Sequence, residues 1–148
     1  PKTPKPQVFG VIKMEATNEN KSCCPDGALA YLASDGKAEG KKVDLGDGCE
    51  IYETGEASEI AIINFPDVWG WDSGRTRLYS DSIAKYGCRV YIPKVLEPAL
   101  EGGTDGDGLP PNFDIGARGA EFGPWIKQIP WEGSIKPKFE KLFAYVKA

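Results

Sequence analysis

Hydrophobic positions along the chain fall into short runs separated by polar turns. Residues 41–45 (KKVDL) and 49–54 (CEIYET) flank Gly46-Asp47-Gly48, a pattern that predicts a β-hairpin. Residues 61–65 (AIINF) are short and apolar, which predicts a strand covered on both faces. Tyr79, Ile83 and Tyr86 then fall at i, i+4 and i+7. With Asp72 or Ser73 as N-cap and Gly87 as the stop, they predict a helix to about Tyr86. Residues 88–92 (CRVYI) predict the next strand. Strand, helix and strand at this spacing form a βαβ unit, with parallel strands and a right-handed crossover.

The Gly-, Pro- and Asp-rich residues 97–116 predict a long loop. Its DGDG at 105–108 lacks the spaced ligands and closing glutamate of a calcium loop, so loop composition accounts for it. Residues 119–131 (GAEFGPWIKQIPW) predict a short helical piece. Residues 137–148 predict a helix with Pro137 in its first turn and an apolar stripe at Phe139, Leu142, Phe143 and Val146. The expected class is α/β. A helix after a parallel strand normally returns to deliver another strand, and none follows here. The predicted sheet therefore keeps a bare parallel edge, which calls for completion by another chain or by a C-terminal half.

Composition narrows the partners. The 148 residues suit one domain, and 41% apolar with 11% aromatic residues is a globular composition. A net charge of −4 without a basic stripe argues against nucleic acid, and the apolar runs are too short for a transmembrane segment. The chain starts at Pro1 rather than Met, so a processed or partial polypeptide is expected. The first 21 residues form an extended arm. Its opening PKTPKPQ is either a solvated tail or a strap on a partner protein.

Cys23, Cys24, Cys49 and Cys88 include no CxxC pair, and the chain contains no His. A zinc site is not expected, and free thiols point to a reducing compartment such as the cytoplasm or an organelle interior. No metal or cofactor is implied. GGTDGDG lacks both the pattern and the following helix of a phosphate-cradling loop.

The richest stretch is INFPDVWGWDSGRTR at 63–77, where an apolar run meets a proline and an acid among aromatics. In open parallel sheets, strand ends are where ligands bind. Taken with SCCPDG at 22–27, the hairpin, the CRVYIP strand and WIKQIPW, this stretch resembles the N-terminal half of the dienelactone hydrolase family. That family is a branch of the α/β-hydrolases, and the similarity spans roughly residues 22–148.

The resemblance implies a partial α/β-hydrolase-like sheet, truncated before the nucleophile elbow. It implies that the Val68 N–H is an oxyanion-hole donor and that Asp67 lies near the nucleophile. Trp69 and Trp71 would wall the cleft towards substrate or partner. Each has a structural alternative: packing for Val68, helix capping for Asp67, core anchoring for the tryptophans.

Two family features are replaced. Pro93-Lys94 stands where a Pro-Asp pair is usual, and Pro98 falls near an arginine that binds substrate carboxylate. The family's Cys, Asp and His triad would lie beyond Ala148, and without His no Cys–His or Ser–His pair can form. Two functions are therefore expected. One is an ester- or lactone-hydrolase piece, inactive by itself. The other is a non-catalytic subunit that uses the fold for docking in a larger protein complex.

Overall fold

The computed structural model describes residues 36–73 and 75–148. The N-terminal arm, SCCPDG, Cys23 and Cys24 lie outside the described residues. Strands β1 (Lys41–Asp44) and β2 (Glu50–Thr54) form the expected antiparallel hairpin. Gly46, Asp47 and Gly48 all take positive φ in its turn, which the flanking glycines adopt without steric cost.

Next come β3 (Ala61–Ile63), α1 (Thr76–Ala84) and β4 (Arg89–Pro93). β4 inserts between β2 and β3, antiparallel to the first and parallel to the second, giving the order β1-β2-β4-β3. α2 (Gly119–Ile126) follows the long loop, and a π-helical turn (Trp131–Ile135) leads into α3 (Lys136–Lys147). The chain is thus an α/β fold built on a mixed four-stranded sheet.

Side chains alternate across the sheet, so each face has its own layer. Ile51, Tyr91 and Ile63 point to one face, where Leu142 of α3 seals them from water. Tyr52 and Ile92 point to the other, beneath Trp71, and α1 packs there against β4 and β2. A further core lies under the long loop. Val95, Leu96, Leu109 and Phe113 pack with Trp125 of α2, so this segment is pinned by its apolar residues despite its composition.

Three local expectations need correction. β3 is not covered on both faces: Ala61 is exposed, while Ile62 and Ile63 are half-buried. Insertion of β4 beside β2 leaves β3 at the edge, with no second neighbour among the described residues.

Neither Asp72 nor Ser73 caps α1. Arg75 holds the cap position with no side-chain capping bond to the helix, Ser73 Oγ donates to the Gly70 carbonyl, and Asp72 pairs with Arg77 at 2.9 Å.

The Tyr79–Ile83–Tyr86 stripe does not face the core, since Tyr79 and Tyr86 are exposed. Ser80 and Asp81 are buried instead. The reason lies in the sheet beneath. The fully buried Tyr52 hydroxyl donates to Asp81 Oδ1 at 2.7 Å, and Asn64 Nδ2 donates to Ser80 Oγ at 2.9 Å. A buried polar strand position demands polar partners from the helix above it. Burial and this bond to Asp81 push the Tyr52 hydroxyl up to about 12.

Candidate functional site

The chain leaves the C-terminal end of β3 through a tight turn. Asp67 is exposed, and its Oδ1 accepts the Trp69 N–H at 3.0 Å while its carbonyl accepts the Gly70 N–H at 3.0 Å. Asp67 therefore shapes its own turn and does not cap α1. Gly70 sits at φ +90°, where a Cβ would lie 2.6 Å from the Asp107 carbonyl oxygen. Only glycine permits that approach. The half-buried Val68 packs its side chain on the core under the long loop, and its carbonyl accepts the Leu109 N–H at 2.9 Å. Its N–H meets no acceptor among the described residues.

The two tryptophans diverge. Trp69 is half-buried and lines a cleft of about 750 Å³ with residues 111–116 of the long loop. Asp67 borders a smaller cleft of about 390 Å³ on the other side of the turn, between Phe65 and Thr76.

Trp71 walls nothing, which corrects its assignment to the cleft. It is fully buried, packed with Tyr52 and Ile92. Three cations surround its ring: Arg77 at 4.7 Å, Lys42 at 5.6 Å and Lys94 at 5.6 Å.

Each of those cations is ion-paired. Asp105 receives Lys42 at 2.5 Å and Arg77 at 3.3 Å. Lys94 bonds Glu50 at 2.8 Å and Glu97 at 3.2 Å, and Lys138 closes on Glu97. Burial favours neutral Lys94, but these carboxylates outweigh it and raise its proton affinity. Lys94 thus ties the end of β4 to β2 and to the start of the long loop.

Asp107 is the residue that sequence reasoning missed. It is fully buried, and it accepts the Trp71 N–H at 2.9 Å and the Leu96 N–H at 2.5 Å. Burial pushes its carboxyl up to about 6, against the pull of those two N–H donors. The only local signal is an acid between glycines just before the apolar Leu109, which loop composition masks.

Among the described residues, neither cysteine stands at the turn. Cys49 and Cys88 are buried and free, bonded to the carbonyls of Lys138 and Ile83 respectively. Burial pushes the Cys49 thiol up, away from the reactive thiolate. Among the described residues, no group of three or more His, Cys, Asp or Glu could hold a metal ion.

The edge of β3, which has no outer neighbour among the described residues, leads into an exposed aromatic patch. Phe65, 48% exposed, stacks on Phe139 at 5.3 Å between centroids. Trp131 (52% exposed) and Phe143 (48% exposed) flank Phe139 at 5.9 and 6.1 Å. An unpaired strand edge beside clustered aromatics is the signature of an interaction surface.

Among the described residues, no helix is long and apolar enough to cross a membrane. No protein-family model, no curated protein and no solved structure matches the chain.

Proposed function

We propose that this chain is a hydrolase-like module related to the dienelactone hydrolases, inactive alone and completed at β3 by a further polypeptide segment that carries the nucleophile. The observation that carries the proposal is the open β3 edge running into Phe65, Phe139, Trp131 and Phe143. A strand added there buries those rings and pairs the free backbone groups of β3.

The turn then forms one wall of a cleft for an ester or lactone. Val68 N–H points its dipole at the oxyanion formed when a thiolate attacks the carbonyl, and Asp67 stands beside that thiolate. The chain brings no His, and its two described cysteines are buried, so it does not perform the attack itself.

A second reading keeps the docking and drops the chemistry: a non-catalytic subunit of a larger assembly. It is favoured by Lys94, which stands where the resemblance implies an aspartate and is held in ion pairs that brace the sheet.

Intact mass of the native polypeptide separates the two. A mass well above that of 148 residues supports the hydrolase half. A mass equal to it supports the docking subunit, and a photo-crosslinker at Phe143 then traps the partner. The 148-residue chain hydrolyses 4-nitrophenyl acetate no faster than buffer. Turnover that disappears on Val68→Pro, which removes the N–H, overturns both readings.

A further inference from the structure

We propose that the cleft beside Trp69 binds the uncharged aromatic arm of an ester or lactone and discriminates against carboxylated ligands. This deepens the hydrolase reading by naming a substrate class, and rests on it only for the word ester.

Three observations carry the inference. At about 750 Å³ the cleft has the size of a small-molecule site rather than of a peptide groove. Apolar side chains form most of its wall, with Asn112 and Asp114 the polar ones among the described residues. The Trp69 backbone is held by its N–H bond to Asp67 Oδ1, and Phe113 by its place in the core under the loop. Pro111 and the exposed Ile115 complete the apolar part of the wall, and Trp69 offers a ring face on which an aromatic ligand can stack.

The charge at the cleft has one sign. Asp114 is its only ionisable wall residue among the described residues, held in place by the Ala117 N–H at 3.0 Å. The Arg118 guanidinium is not among the residues that line this cleft. Arg118 lies over the outer face of Phe113 at 4.3 Å, with Glu121 taking its Nε at 2.8 Å and its Nη2 at 2.5 Å. A carboxylated ligand would lose water, meet Asp114 and find no cation among the described residues of the wall.

The test is an NMR titration of the full 148-residue chain with a matched pair, methyl 2-naphthoate and the 2-naphthoate anion. Methyl 2-naphthoate is expected to shift the Trp69 indole and Ile115 methyl signals, with a Kd at least tenfold below that of 2-naphthoate. Trp69→Ala abolishes these shifts at Ile115. Ile115→Lys alters only an exposed side chain, so the fold persists, and it narrows the preference for the neutral ligand to less than threefold. Equal affinity for the two ligands, tighter binding of naphthoate, or shifts that spare Trp69 and Ile115 overturn the inference. None of those outcomes touches the docking at β3, which mass and crosslinking decide separately.

Discussion

Asp107 and Trp71 are joined by a carboxylate-to-backbone hydrogen bond of 2.9 Å across 36 residues of chain. The second Asp107 oxygen takes the Leu96 N–H at 2.5 Å, so one buried side chain fastens the middle of the long loop to its start and to the turn after β3. Asp107→Ala strands two N–H donors inside the protein, each at about 1–3 kcal/mol. The expected loss is about 3 kcal/mol, read as a lower urea midpoint with unchanged slope. Faster proteolysis within residues 97–116 accompanies it. Asp107→Asn keeps one acceptor and costs roughly half as much.

The same residue sets a pH dependence. Its carboxyl ionises near pH 6 in the folded chain against an ordinary value of 3.8, so the folded state holds the proton more tightly. The resulting stabilisation is full below 3.8 and is lost as pH rises through 6. Between about pH 7 and pH 4 this group therefore adds up to about 3 kcal/mol on acidification. Asp105 and Glu121, whose carboxyls are held low, act in the opposite sense at lower pH. Urea midpoints of wild type and Asp107→Asn across this window isolate the contribution, and the Asn variant has the flatter profile.

What the sequence made legible was local. The hairpin around Gly46-Asp47-Gly48, the strand–helix–strand unit and the final helix all follow from periodicity and turn chemistry within a dozen residues. What it hid depends on distant partners. Residues 61–65 cannot reveal that β4 will occupy the inner position and leave β3 at the edge. The buried face of α1 is set by the Tyr52 hydroxyl, 29 residues from Asp81, which overrides the apolar stripe at Tyr79 and Tyr86. Trp69 and Trp71 look equivalent in the sequence. Distant partners separate them: Asp107 holds the Trp71 backbone and Tyr52 and Ile92 pack its ring, while Trp69 stays at the cleft.

Gly70 gives a backbone test of the turn. Alanine there carries a strained positive φ and places a Cβ 2.6 Å from the Asp107 carbonyl oxygen. Backbone on both sides cannot yield cheaply, so Gly70→Ala is expected to destabilise by more than about 1 kcal/mol. It also shifts the Trp71 ring against its cations, which near-ultraviolet circular dichroism reports. Gly119→Ala, where a Cβ meets nothing within 4 Å, is the control and leaves the spectrum unchanged.

Leu142 and Phe143 are neighbours on α3 with opposite tasks. Leu142 is fully buried against Ile51 and Tyr91, and truncation to Ala leaves a cavity costing about 2–5 kcal/mol. Phe143 is 48% exposed and, like Phe65, already gives up much of its area to water. Phe65→Ser with Phe143→Ser therefore costs the isolated chain only about 1 kcal/mol per ring in urea unfolding. Yet that pair removes two rings flanking Phe139 beside the β3 edge. Binding of the apolar dye ANS to the folded chain is expected to fall severalfold in this variant. A residue kept exposed for docking is cheap to remove from the free protein and costly to remove from the complex, because its area is buried only there. Unchanged dye binding in the double variant would detach the patch from the proposed interface and leave β3 as a bare edge with nothing beside it to recruit a strand.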